Sequence, residues 1–184
     1  VWGDECKIYF KNVVCHPKIE TERLKIRMYQ GKDYEEVFKW TGDPKVNKFM
    51  MYTLYEKASD VKKWINNLYQ NEKEIELVFE LKETGELIGD TGVNEVEGKA
   101  NEVEIGYGIC KKYSGKGYAT ELLNAMTEFI ISTFGINVLY GRVMRGNNAS
   151  VRVLEKNGYV FVKEEFGAED DPYGKGMLIY KKEC

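Results

Sequence analysis

The stretch from Lys111 to Thr120, Lys-Lys-Tyr-Ser-Gly-Lys-Gly-Tyr-Ala-Thr, constrains this chain more than any other. Its two glycines lead straight into a segment whose apolar residues, Leu122, Leu123, Met126, Phe129 and Ile130, fall on one face of a 3.6-residue repeat. The preceding residues, 102–110, read as a strand. A strand, a glycine turn and a helix start in succession make an anion site. The first N–H groups of a helix lack intrahelical partners, the helix dipole favours negative charge, and glycine lets a ligand come close to the backbone. Lys111, Lys112 and Lys116 add positive charge beside the turn. The expected ligand is the diphosphate of a cofactor. A Walker loop requires Gly-x-x-x-x-Gly-Lys-Ser/Thr, and that spacing is absent. A dinucleotide fingerprint requires a third glycine where Thr120 stands, in an early βαβ unit, whereas this turn lies past the middle of the chain. What remains is x-x-Gly-x-Gly-x-Ala.

With 184 residues, 43% hydrophobic and 31% charged, the chain suits one globular domain with one sizeable core. No apolar run approaches the roughly 20 residues that span a membrane, and no signal-peptide pattern is present. A net charge of −3 argues against a nucleic-acid partner, which calls for a basic face. Cys6, Cys15, Cys110 and Cys184 are scattered, no CxxC pair occurs, and His16 is the lone histidine, so no metal site is expected. A reduced, cytoplasmic protein is the default.

Residues 1–17 read as an N-terminal extension with some strand character over 7–14, and residues 18–184 as a single domain. A strand is expected over 23–29, where Leu24, Ile26 and Met28 alternate with charged residues. Asp33 is placed to cap a helix carrying Val37, Phe38 and Trp40, which Gly42-Asp43-Pro44 ends. A second helix begins at Ser59-Asp60 and closes in a polar stretch over 66–73. Strands over 76–81 and 87–96 flank the hairpin turn Glu83-Thr84-Gly85-Glu86. After the glycine turn and its helix come a strand over 138–144, a short helix from Asn147 to Gly158, and an antiparallel pair over 159–166 and 177–182. The order β-α-α-β-β-β-α-β-α-β-β describes an α+β fold, a mixed sheet flanked by helices.

Three motifs stand in a telling order: Glu104-Ile105-Gly106-Tyr107, then Ser114-Gly115-Lys116-Gly117-Tyr118-Ala119-Thr120-Glu121, then residues 147–159 beginning Asn147-Asn148-Ala149-Ser150. Together they resemble the GNAT superfamily of N-acetyltransferases. The opening Glu20-Thr21-Glu22-Arg23-Leu24 resembles the branch related to the ribosomal-protein N-terminal alanine acetyltransferases. The resemblance covers roughly residues 19–182. It implies a twisted, mostly antiparallel sheet, acetyl-CoA as co-substrate, and cofactor contacts from Ser114, Gly115, Lys116, Gly117, Tyr118, Ala119 and Thr120. Lys112 stands where the superfamily usually has Gln or Arg, and Gly108 where this branch often has Trp, which widens the pocket.

An amine acceptor near pKa 10 must lose a proton before it attacks a thioester. Glu104 is the candidate base, acting through a water, with Glu102 as rival should a bulge exchange which face points inward. The oxyanion needs a preplaced donor, and the resemblance assigns the backbone N–H of Ile109. Many relatives protonate the leaving thiolate with a tyrosine, but Leu154 occupies that position here. The branch suggests Ser150 instead, unless that hydroxyl only caps the helix or bonds the cofactor. Asn147 resembles the asparagine that touches the pantetheine arm; an ordinary turn residue is the other reading. With no cysteine beside a histidine, direct transfer is expected without an acetyl-enzyme. Glu95, Glu97, Glu102, Glu104, Glu169, Asp170 and Asp171 favour a cationic acceptor if they face one funnel. A small amine, a protein N-terminus, and a non-catalytic CoA-binding module all remain open, as do monomer and homodimer. Specificity is expected around residues 40–55, in the early helices.

Overall fold

The computed structural model describes residues 19–68, 74–99, 101–168, 171 and 174–184. The extension over 1–17 with its expected strand lies outside the described residues, as do Glu169 and Asp170. The chain runs β1 (Ile19–Glu20), β2 (Leu24–Met28), α1 (Tyr34–Thr41), α2 (Pro44–Asn47), α3 (Ala58–Asn67), β3 (Glu74–Leu81), β4 (Leu87–Glu95), β5 (Glu102–Ile109), α4 (Tyr118–Phe134), β6 (Val138–Met144), α5 (Asn148–Lys156), β7 (Val160–Glu165) and β8 (Met177–Glu183). This is the expected α+β order with two additions, the short strand β1 and the single turn α2. Pro44 ends α1 and then opens α2, because a proline at a first helical position loses no hydrogen bond.

One eight-stranded sheet has the order β1-β2-β3-β4-β5-β6-β8-β7. Every neighbouring pair is antiparallel except β5–β6. That parallel pair needs a crossover, and α4 supplies it. The alternation of side chains divides the apolar residues between two helical layers. Ile75, Leu77, Phe79, Val93, Val103 and Ile105 face Leu122, Leu123, Met126 and Ile130 of α4. Val78 and Leu87 face Val37 and Trp40 of α1 and Val61 and Ile65 of α3.

Asp33 departs from its expected role. It precedes α1 but makes no side-chain cap. Its carboxylate instead takes the Arg27 guanidinium at 2.8 Å and the Gln30 N–H at 2.7 Å. A buried carboxylate beside an arginine gains more from that charged pair than from an amide.

Candidate active site

β5 and β6 stay paired only from Glu102–Val138 to Glu104–Tyr140. Beyond that point the two strands diverge. A cavity of about 610 Å³ opens in the fork, lined by Ile105 to Ile109 on one arm and Gly141 to Met144 on the other. The divergence leaves backbone groups exposed in the gap. Cys110 N–H donates to Ile88 O across β4. Strand alternation therefore turns the Ile109 N–H the other way, into the fork.

Glu104 stands at the root of the fork and lines the cavity. Arg142 Nε on the other arm lies 4.0 Å from Glu104 Oε2, with the two side chains 17% and 26% exposed. Glu102 occupies a different place from Glu104. Residues two apart on a strand share a face, so no bulge is needed to turn it inward and face does not separate the two. Position does: Glu102 is one step outside the fork and pairs with Lys99 at 3.0 Å.

The glycine loop joins β5 to α4. Gly117 adopts φ +85° as the residue before α4, and Gly115 adopts φ +79°. Both angles favour glycine. A Cβ on Gly115 would meet nothing within 4 Å. Ser114, Gly115, Lys116 and Gly117 are exposed, Tyr118, Ala119 and Thr120 partly so, and of these Ser114 reaches the cavity lining. The loop is braced by the opening motif of the domain. Thr21 Oγ1 donates to Glu121 Oε1 at 2.5 Å, and the Arg23 N–H donates to the same oxygen at 2.9 Å. Arg23 Nε reaches Glu121 Oε2 at 2.7 Å, its Nη1 donates to Lys116 O at 3.1 Å, and the guanidinium lies 4.4 Å from the Tyr118 ring centroid. Burial works to raise the Glu121 carboxyl, and these donors overcome it, so the group sits below its usual range. Two segments nearly a hundred residues apart thus hold the first turn of α4 in place.

Asn147 caps α5 by accepting the Ser150 N–H at 3.3 Å, so it fills a structural role while lining the cavity. Ser150 lines the cavity beside Tyr107. Burial pushes the Tyr107 hydroxyl up to about 12, with Ser150 acting in the opposite direction. The Tyr107 hydroxyl makes no hydrogen bond of good geometry to a described residue. The sequence names this tyrosine within the motif of residues 104–107 and gives it no role. Only the fork gives it an opening. Leu154 packs over Gly141, where an added Cβ would lie 2.6 Å from its Cδ2.

The carboxylates that share the cavity are other residues than expected, and Lys45, Lys48, Lys111 and Arg142 line it with them. Among the described carboxylates of those named from the sequence, Glu104 is the one that lines the cavity. Glu97 is exposed, and Asp171 accepts the Gly176 N–H at 2.8 Å. The additional cavity carboxylates are Glu76 and Asp90, on β3 and β4. Asp90 Oδ2 accepts Trp40 Nε1 at 2.9 Å and Tyr29 OH at 3.1 Å. Burial raises its carboxyl, opposed by those bonds and by the Gly108 N–H. Burial, then the charges of Asp90 and Glu74, hold Glu76 well above the usual carboxylate range. The expected specificity region does close this end of the cavity: Thr41, Lys45, Phe49, Met50, Tyr52 and Tyr55 all line it. Gly108 does not widen the floor: Asp90 Oδ1 and Met50 Cε already fill the space over it, each 2.7 Å from where a Cβ would lie. Among the described residues, no group of His, Cys, Asp and Glu is arranged to hold a metal ion, and no helix is long and apolar enough to cross a membrane.

A forked sheet with a glycine loop at a helix start is the architecture of an acyl-transfer domain. Residues 23–160 match the family model described as Acetyltransferase (GNAT) domain. The chain belongs to the GNAT acetyltransferase family and is an acyltransferase. It is 30% identical over 162 residues to an uncharacterized N-acetyltransferase, p20, of Bacillus licheniformis, covering 86% of this chain and 89% of that one. The solved GNAT-family acetyltransferase from Bacillus anthracis superposes with a TM-score of 0.78 at 24% identity, covering 90% of this chain and 97% of that one. The spermidine N-acetyltransferase of Vibrio cholerae, solved with CoA and spermine, superposes with a TM-score of 0.75 at 17% identity, covering 88% and 95%.

Proposed function

We propose that this protein transfers the acetyl group of acetyl-CoA to a primary amine by direct attack. The observation that carries the reading is the fork: one cavity has Glu104 at its root, the Ile109 N–H on its arm and the glycine loop at its mouth. The loop fits the diphosphate, because exposed amides at a helix start, with room over Gly115, suit an anion. Acetyl-CoA, when bound, supplies a thioester carbonyl open to attack. Amides over residues 114–120 hold the diphosphate, and Asn147 lies along the cavity wall toward it. The Ile109 N–H points into the gap as a fixed donor for negative charge developing on the carbonyl oxygen. Glu104 takes the proton of the acceptor ammonium, directly or through a water. Ser150, with Tyr107 beside it, supplies a hydroxyl proton on the leaving-thiol side. Cys110 is partly buried, and no histidine among the described residues stands by it to make it a nucleophile. Closure of the cavity by the loop over 48–52 favours a small amine over a protein N-terminus.

The test is Glu104→Gln, which keeps shape and removes basicity. kcat/KM falls by roughly 10²–10⁴ at neutral pH, the usual worth of a positioned base. Acetyl-CoA affinity is unchanged. The deficit shrinks as pH approaches the amine's own pKa, near 10, where free amine is already present. Full activity of Glu104→Gln at neutral pH refutes the assignment. Acetyl-CoA binding without turnover of any amine would instead mark a non-catalytic module.

A further inference from the structure

The reactions assigned above leave the acceptor without a seat, and the floor of the cavity offers one. Glu76, Gly92 and Gly106 stand side by side on β3, β4 and β5. The Glu76 carboxylate lies across Gly92: a Cβ there would come within 2.6 Å of Glu76 Oε1. One strand further, about 4.8 Å on, a Cβ on Gly106 would meet nothing within 4 Å. The Glu76 carboxylate thus covers Gly92 and points along the row toward bare sheet over Gly106. The neighbouring row holds Asn94 and Glu104, paired across the same two strands and on the same face. Asn94 Oδ1 is buried and accepts no hydrogen bond from a described residue. A buried acceptor left open in this way is costly unless a ligand fills it.

We propose that the acceptor's ammonium group sits over Gly106, beside the carboxylate that covers Gly92, with Glu76, Glu104 and Asn94 Oδ1 as its three hydrogen-bond acceptors. This rests on the reading of the site as an amine acetyltransferase and deepens it. A primary ammonium on a carbon chain carries three N–H donors, matching three acceptors, whereas a secondary ammonium carries two. Asp90 is already occupied by Trp40 and Tyr29 and forms the fixed floor beside the seat. Tyr55 and Trp64, with ring centroids 6.4 Å apart, line the same cavity and give the cation and its apolar stem an aromatic wall. Of the cations of the lining, Lys45 and Lys48 are exposed and Lys111 flanks the glycine loop, while Arg142 borders the seat, 4.0 Å from Glu104 Oε2. The arrangement selects a primary aliphatic amine and rejects its N-methylated counterpart.

The experiment titrates n-butylamine and N-methylbutylamine into the protein saturated with CoA, followed by calorimetry, beside steady-state acetylation of the same amines. Wild type binds butylamine at least about tenfold more tightly than the N-methyl amine. Glu76→Gln weakens butylamine at least about tenfold, the scale of one charge-assisted hydrogen bond. It raises the acceptor KM more than it lowers kcat, and acetyl-CoA affinity is unchanged. Gly106→Ala guards against a folding artefact. Its methyl group meets no protein atom, so the melting temperature stays at the wild-type value while butylamine binding falls by a similar factor. Equal binding of the two amines, unchanged butylamine affinity in both variants, or a Glu76→Gln defect confined to kcat overturns the proposal. Wild-type protein that binds butylamine as described yet acetylates no amine refutes the enzymatic reading and leaves the ammonium seat standing.

Discussion

Replacing Glu76 with Gln separates a residue kept for binding from one kept for stability. The carboxyl of Glu76 lies well above its ordinary 4.5 because it is buried, with the charges of Asp90 on β4 and Glu74 on its own strand adding to the effect. Tyr55, across the cavity, is raised in turn by burial and by nearby acids that include Glu76. A raised pKa means the folded protein holds this proton more tightly than the unfolded chain does. The stability it contributes is complete below pH 4.5 and is lost as pH rises through the folded value. Within that window one proton changes the free energy of unfolding by about 1.4 kcal/mol per pH unit. For a chain of 184 residues this corresponds to roughly 3–6 °C in melting temperature per pH unit. Glutamine cannot ionise, so the variant lacks this slope. Urea unfolding at a series of pH values from 5 to 8, wild type against Glu76→Gln, measures it as a difference. The variant is the more stable protein at the upper end, while its acceptor binding is the weaker. A difference that stays constant across the series, or a variant less stable throughout, refutes the reasoning.

Two other changes probe the cofactor end. Gly117→Val forces a branched side chain into φ +85° and crowds Arg23 Nη2, which would lie 3.3 Å from its Cβ; calorimetry should show acetyl-CoA affinity falling sharply, while the exposed Lys116→Ala costs little. Glu121→Gln weakens the brace to Thr21 and Arg23 and lowers unfolding free energy at neutral pH by about 1–3 kcal/mol. Because the folded Glu121 carboxyl lies below its usual value, that contribution is present above the unfolded pKa and is lost as pH falls. Denaturation curves of the two proteins therefore converge in acid.

Much of the architecture was legible because it is written in local patterns. The period-2 alternation of β2, the apolar stripe of α4, and the glycine after α5, with φ +78° at Gly158, each depend on residues a few positions apart. The glycine loop was legible for the same reason: two glycines before a helix are a local pattern. Its brace was not. Thr21 and Arg23 show no sign in the sequence that Glu121 is their partner, because the contact crosses ninety-eight residues or more.

The acceptor end shows where local pattern stops. Glu102 and Glu104 are equivalent by alternation, and the place where β5 leaves β6 distinguishes them. Glu76 and Asp90 look like polar residues of a hairpin until three strands set them beside Gly92, Gly106 and Gly108. Tyr107 is a motif residue without a role until the fork opens over it. The sequence by itself determined the family of folds and the glycine turn that opens α4, because helix starts, turns and strand faces are decided within a few residues. The tertiary structure alone decided which carboxylates share the cavity, because strand register and the divergence of two strands bring together side chains that the chain keeps far apart.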